Sequence, residues 1–583
     1  MSDDKMSLPS EKDLERELGD YLSNKYGGQV KIVSAGMLPL AKKKDDVEQQ
    51  AERTEEEGFN FNLKPEELVR YLDEYVVQQD EAKSVLATKI CTHFNRIRHE
   101  LETGRAVKKQ VGRIKSNVLL VGPTGVGKTY LVKLIARRLG VPFVKGDATK
   151  FSETGYVGGD VEDLVRDLVR EADDDIAKAE YGIIYVDEVD KIAASSNRLG
   201  ADVSRAGVQR AFLKPMEDTD VELKVPHDPV SQLEAMEHYR STGKREKKVV
   251  NTRNILFIMS GAFAGLTEII RRRSHEHSIG FGSKVESKDG GSRYFQEVMA
   301  EDLIAYGFES EFIGRLPVVT ALNDLSKDDF VQILSKHNSA VVLGKKQDFN
   351  AYGIKLGFEQ DAFESIAAKA VLEKTGARGL LSVMEKTLLP FEKSLPSTSL
   401  RYLVLSGAMV EDPVAALSEM LASQESDYHQ QRYNELRLQE HACLVENIEA
   451  SNGDFLREEG VEITPERLEM MASYCLEEFV DVRDACQDFI EMIHHIRDYA
   501  ATVSVDCNIN IFFEEAAIDR LMAKSRLTIS SVNEVCQDVF AALDYGLRLI
   551  GQKRLDGELI IPVEGVESPE TFINEVLDEN FKL

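Results

Sequence analysis

The stretch Asn117–Thr129, NVLLVGPTGVGKT, constrains the fold of this chain more than any other. A short run of β-branched and leucine residues ending at Val121 passes directly into Gly122-Pro123-Thr124-Gly125-Val126-Gly127-Lys128-Thr129, and a helical YLVKLIARRL follows from Tyr130. Strand, then G-x-x-x-x-G-K-T, then helix is the context in which this motif works as a phosphate loop. The glycines let backbone N–H groups curl around phosphate oxygens, and the helix start adds its dipole. Lys128 can reach the outer phosphates, and the Thr129 hydroxyl can sit on Mg²⁺. Gly122 to Tyr130 is therefore the candidate ATP-binding segment. The expected fold is α/β, with a parallel sheet between helices.

Two more strands support that reading. Gly182–Val186, GIIYV, is continuously apolar and ends in Asp187-Glu188, as suits a central parallel strand whose carboxyl end faces a ligand. Asp187 is expected to hold Mg²⁺ together with Thr129, and Glu188 to polarise the attacking water. Asn254–Ser260, NILFIMS, ends in a hydroxyl that could sense the γ-phosphate, although serine at a strand end also serves as a cap or turn residue.

Charge and composition narrow the partners. The chain carries 72 Lys and Arg against 101 Asp and Glu, a net charge of −29, which argues against binding a nucleic-acid backbone. Its basic stretches, Lys108–Lys115 and Arg271–Arg273, read as solvated or nucleotide-proximal faces. The polar, acidic start does not resemble a secretory signal, and no apolar run approaches the about 18 residues of a membrane span. The six cysteines lack the close pairing of a zinc knuckle and read as reduced thiols. A cytoplasmic protein without membrane or nucleic-acid partners is expected, and 583 residues predict several domains.

Phe151–Val165, FSETGYVGGDVEDLV, sets Tyr156 and Val157 between glycines. Such a mount either holds an aromatic ring out for contact or is a surface hairpin whose tyrosine packs on its own domain.

From about Leu63 to Pro413 the chain resembles the ClpX family of hexameric AAA+ protein unfoldases. The ordered matches are YLDEYVVQQDEAKSVLA (Tyr71–Ala87), GPTGVGKT, GYVGGDVEDLV, IIYVDEVDKI (Ile183–Ile192), VSRAGVQRAFLKPMED (Val203–Asp218), NILFIMSGAFAGL (Asn254–Leu266), EDLIAYGFESEFIGRLPVVTAL (Glu301–Leu322) and KTGARGL (Lys374–Leu380). The sister unfoldase HslU shares several of these, and Ser204-Arg205 looks more like it. The resemblance implies a homo-hexamer that acts on unfolded or tagged proteins. It implies that Tyr156 and Val157 line an axial pore and that Val77 lies in the nucleotide-base box. Arg315 would complete a neighbouring subunit's site, a role that contributes roughly 10³–10⁵ in rate in related phosphoryl-transfer enzymes. Arg378 would couple nucleotide to the small domain, and Ile279-Gly280-Phe281 would dock a ClpP-type peptidase.

The chain also departs from that pattern. Residues 1–62 contain no cysteine, so the small zinc domain of the family is not expected there; Glu11–Lys25 reads as an amphipathic helix, Gln29–Ser34 as a strand and Lys42–Gly58 as a charged linker. Gln78 stands where the base box usually has glycine, and Glu222–Val250 replaces a short basic pore-entrance loop with a longer insert that keeps KREKK at Lys244–Lys248. The expected domains are 1–62, an ATPase domain 63–322, a small domain 323–413 and a helical extension 414–583. Within the extension, Ile509–Lys524 aligns without gaps on Ile354–Lys369, which suggests a degenerate second small domain at about 505–570 or, alternatively, two unrelated strand–helix pairs. Val414–Ala501 reads as a helical hairpin or coiled-coil arm. The functional expectation is an ATP-dependent unfoldase feeding a ClpP-type peptidase. The alternatives are a protease-independent remodeller whose extension binds a dedicated partner, a DNA-acting motor and a nucleotide switch; charge disfavours the DNA-acting motor, and the full hydrolytic residue set disfavours the switch.

Overall fold

The computed structural model describes residues 61, 63–102, 115–152, 159–194, 203–223, 248–277, 293–423, 426–528, 530–553 and 558–581. The chain divides into two compact units, one of Met1–Val69 with Gln79–Asp324 and one of Arg70–Gln78 with Leu325–Leu583. Among the described residues no helix is long and apolar enough to cross a membrane, and all six thiols are free.

The first unit is built on β1 (Val118–Val121), β2 (Phe143–Asp147), β3 (Ile183–Asp187), β6 (Leu256–Gly261) and β7 (Val318–Ala321), in the order β2-β3-β6-β1-β7 with every pair parallel. Their near-continuous apolar sequence follows from burial on both faces: each residue of β1 is at most 1% exposed. Leu119, Val186 and Met259 fall in one row across three neighbouring strands, so β1, β3 and β6 finish along one edge. Helices Asp80–Glu102 (α1), Lys128–Leu139 (α2) and Val203–Met216 (α3) belong to this unit, and Phe212 of α3 joins the core formed by Leu119, Val121, Val186, Phe257 and Met259. The departing insert springs from a small antiparallel ladder, β4 (Asp220–Glu222) with β5 (Val249–Asn251). Residues 224–247 of it lie outside the described residues, as do the N-terminal helix and strand expected at 11–34.

In the second unit, α4 (Ala340–Ala351), β8 (Lys355–Phe358), α5 (Gln360–Glu373), α6 (Arg378–Ser394), β9 (Tyr402–Leu405), α7 (Gly407–Glu411) and α8 (Pro413–Ser423) enclose a core of Phe349, Leu356, Ile366, Leu380, Leu388 and Leu403. The long α9 (Ser426–Asn447) then packs on the β8–β9 pair. After α10 (Pro465–Glu478) the same order recurs, as α11 (Val482–Cys507), β10 (Asn510–Phe513), α12 (Glu515–Thr528), α13 (Val532–Lys553), β11 (Glu558–Ile561), α14 (Val563–Glu567) and α15 (Pro569–Phe581). Both strand pairs are parallel. Lys369 Nζ donates to Val410 O at 2.6 Å, and Lys524 Nζ donates to Val566 O at 2.6 Å; Glu359 N donates to Leu405 O at 3.0 Å, and Glu514 N to Ile561 O at 3.0 Å. Helices within 414–501, the stretch read as a helical hairpin or coiled-coil arm, pack into a core. Met471, Phe489, Ile490, Ile493 and Ile496 are buried in one core with Ile511, Leu521, Leu543 and Leu547, because their apolar stripe is wide enough to need cover.

Candidate active site

The phosphate loop leaves the carboxyl end of β1 and enters α2 through Gly127, whose φ of +96° is comfortable only for glycine. Gly122 is held as closely from outside, since a Cβ there would lie 2.7 Å from the Leu322 carbonyl oxygen. Between them Val126 is buried and Thr124 exposed, with Pro123 and Gly125 half-buried, so the loop shows one face to solvent. Lys128, the first residue of α2, is buried and turned back onto the loop, where its Nζ donates to the carbonyls of Gly122 and Pro123 at 2.6 Å each. Those contacts place an ammonium at the loop's mouth. Tyr130, two residues further on, is 39% exposed.

Because β1, β3 and β6 end together, Thr129, Asp187 and Ser260 converge. Ser260 Oγ donates to Asp187 Oδ1 at 2.6 Å, Thr129 Oγ1 donates to Asp187 Oδ2 at 3.3 Å, and Lys145 Nζ from β2 stands 3.3 Å from the same oxygen. Burial pushes the Asp187 carboxyl up, but Ser260, Lys145 and the Glu188 amide outweigh it and hold the group below its ordinary range. The buried Tyr185 hydroxyl lies 2.5 Å from Ser260 Oγ and 3.0 Å from Thr129 Oγ1, and burial with the nearby Asp187 charge pushes its own pKa up. Glu188 follows in a left-handed conformation, φ +58° and ψ +31°, and is exposed. A non-glycine residue there costs of order 1–3 kcal/mol, a strain that typically concentrates where a side chain must be aimed.

Tyr185 and Lys145 escaped the sequence reading. Tyr185 interrupts an aliphatic strand two residues before the acid, hence on the same side of the pleat, and that interruption was its signal. Lys145 reaches Asp187 through strand register, with Lys145 opposite Tyr185 and Asp147 opposite Asp187.

The other candidates lie elsewhere. Arg315 pairs with Glu217, and its carbonyl accepts from Asn117 Nδ2 at 3.1 Å, beside the amino end of β1 and so opposite the loop. Val77 and Arg378 belong to the second unit, Val77 buried and Arg378 exposed at the start of α6. Gln78, where glycine is usual in the resembling family, adopts φ +56°, a backbone glycine takes without strain, and its Nε2 donates to Asp329 Oδ2 at 2.8 Å. Tyr156, Val157, Ile279, Gly280 and Phe281 lie outside the described residues. The ends of the tyrosine loop are described: Phe151 and Gly159 form a parallel bridge, Ser152 N donates to Gly159 O at 3.3 Å, and Gly159 N donates to Lys150 O at 3.0 Å. Phe151 packs edge-on to Phe212, 5.6 Å between centroids, fixing that base to the core.

An AAA domain (Cdc48 subfamily) matches residues 113–319, and the C-terminal, D2-small domain of ClpB protein matches residues 325–391. The chain is also 40% identical over 338 residues to the ATP-dependent Clp protease ATP-binding subunit ClpX of Treponema denticola, a stretch covering 57% of this chain and 77% of that protein. With a phosphate loop, an acid pair and a parallel five-stranded sheet in the matched region, the chain belongs to the ATP-hydrolysing AAA+ ATPases of the Clp/HSP100 type.

Proposed function

We propose that this ATPase is a protein unfoldase that assembles as a cytoplasmic homo-hexamer and threads unfolded or tagged polypeptides through an axial pore into a ClpP-type peptidase. The observation that carries the reading is the bridge between Phe151 and Gly159, the two ends of the segment that contains Tyr156 and Val157, with Phe151 anchored on the ATPase core. An aromatic ring offers contact area that tolerates any substrate sequence. The resemblance to a Clp protease ATP-binding subunit supports the peptidase partner, for which Ile279, Gly280 and Phe281 are the docking residues.

In this reading Lys128 exchanges the carbonyls of Gly122 and Pro123 for the outer phosphates of ATP. The adjacent oxygens of Thr129 and Asp187 suit Mg²⁺, which would neutralise phosphate charge there. Lys145 and Ser260 keep Asp187 anionic for that purpose. Glu188 takes the proton of the attacking water, and Ser260 reports the γ-phosphate to the sheet. Arg315 acts on the next subunit's nucleotide, in keeping with its place at the opposite end of β1. The resemblance assigns Val77 and Arg378 to nucleotide contact, and Arg378 to coupling its state to the small domain.

The test is ATP-dependent loss of fluorescence from a tagged fluorescent protein. Glu188→Gln should bind ATP, lose about 10²–10⁴-fold in hydrolysis and unfold nothing. Unfolding by Glu188→Gln at the parent rate would reject the reading.

A further inference from the structure

The second unit holds its helix–strand–helix arrangement twice, and the copies differ in what covers their sheets. Over β8 and β9 the cover is α9. Lys346 Nζ bonds Glu440 at 2.8 and 2.9 Å, Arg432 Nε donates to Glu359 Oε1 at 2.7 Å, and Val404 N donates to His429 Nδ1 at 3.2 Å. The Tyr402 and Tyr433 rings lie 5.6 Å apart. A Cβ on Gly357 would meet Tyr433 at 3.3 Å and Leu436 at 3.5 Å, so the helix rests directly on bare backbone.

Aligning the copies so that Lys369 matches Lys524 and Val410 matches Val566, which make the same bond, pairs Ala501, Glu514, Ile560, Glu558 and Phe512 with Lys346, Glu359, Val404, Tyr402 and Gly357. The inward residues Ile511, Leu559 and Ile561 remain buried, as the pleat requires. Among the described residues no helix covers the outward ones as α9 covers the first copy: Phe512 is 52% exposed, Ile560 60% and Val505 of α11 82%. A groove of about 820 Å³ runs between α11 and β10, lined by Ala501, Val505, Ile509 and Phe512. No ion pair to Glu514 or Glu558 is made among the described residues, whereas Glu359 has Arg432.

We propose that 482–581 is a second copy of the small domain and that its outward sheet face is the seat of an amphipathic helix from a partner protein. The first copy supplies the template for the occupant. Bulk has moved from the helix to the strand, with Ala501 for Lys346 and Phe512 for Gly357. The occupant therefore carries small residues where α9 has Tyr433 and Leu436, and an apolar side chain where α9 has Glu440. A basic residue in the place of Arg432 answers Glu514, and the neighbouring Glu558 favours a basic flank. Ring-plus-aliphatic burial of this kind makes Phe512 the anchor of the contact. This assignment goes beyond the unfoldase reading and stands without it.

The probe is a fluorescein-labelled 22-residue peptide of sequence Ser426–Asn447 carrying Tyr433→Ala, Leu436→Ala and Glu440→Leu, titrated with the full chain by anisotropy. The expected result is saturable binding that weakens about tenfold or more in Phe512→Glu and in Ile560→Glu, both at exposed positions, with ATP turnover unchanged. The unmodified peptide, whose Tyr433 would collide with Phe512, should bind more weakly than the probe. Absent binding, equal binding by the parent and Phe512→Glu, or tighter binding of the unmodified peptide would each overturn the proposal. Peptide-independent self-association of the chain that Phe512→Glu abolishes would overturn it too, by making a second copy the occupant.

Discussion

At the residue scale the site turns on how Asp187 is held. It is partly buried, which disfavours its charge, yet Ser260, Lys145 and the Glu188 amide keep it ionised. A carboxylate with a depressed pKa stays charged until pH falls through that lower value, so its contribution is lost only on the acid side. Ser260→Ala removes a short hydrogen bond and leaves burial less opposed. The acid limb of the ATPase pH–rate profile should therefore move to higher pH, with the alkaline limb in place; an unmoved acid limb would mean that Ser260 does not tune Asp187. The convergence of Thr129, Asp187 and Ser260 was legible because Asp187 and Ser260 end apolar runs, Thr129 follows the loop that leaves a third, and parallel strands end on one edge. Tyr185 and Lys145 were not legible, since both enter through register and packing between strands, which no single run of sequence reports.

At the element scale two buried charges make the second unit pH-sensitive and brittle. Glu74 has a carboxyl oxygen without a hydrogen-bond partner, and burial, opposed by Arg483, raises its pKa to about 7. Its folded pKa exceeds the unfolded one, so the folded state holds the extra proton and stability falls as pH rises from about 4.5 to about 7. Glu74→Gln should flatten that loss and raise stability at pH 8 by up to about 3 kcal/mol, read as denaturation midpoints at pH 5 and pH 8. Parallel pH dependences in parent and variant would contradict it. Arg467 of α10 is 1% exposed and bonds Asp519 at 2.6 Å and Glu515 at 3.0 Å, tying α10 to α12. Removing it leaves the Asp519 carboxylate without its cation, while Glu515 keeps Arg497 at 2.9 Å, so Arg467→Ala should cost about 3 kcal/mol in chemical denaturation. The helical character of 414–501 was readable from its periodicity, but its packing into a core was not. Periodicity gives the width of an apolar stripe and not the surface it meets.

At the scale of the whole molecule, the proposed hexamer would join ATP hydrolysis to mechanical work through parts that no one subunit completes. Arg315 pairs with Glu217 at the amino end of β1 and, in the proposed hexamer, would serve a neighbour's nucleotide. Arg315→Ala should retain ATP binding and lose roughly 10³-fold or more in turnover. Phe281→Ala should leave hydrolysis and unfolding intact while abolishing degradation with a ClpP-type peptidase, measured on one tagged substrate with and without the peptidase. The measurement that bears most directly on the central claim is ATP turnover and tagged-protein unfolding recorded together for Tyr156→Ala. Turnover near the parent value, with unfolding slowed by about tenfold or more through lost aromatic grip, is the predicted result. Unfolding at the parent rate per ATP would contradict the account.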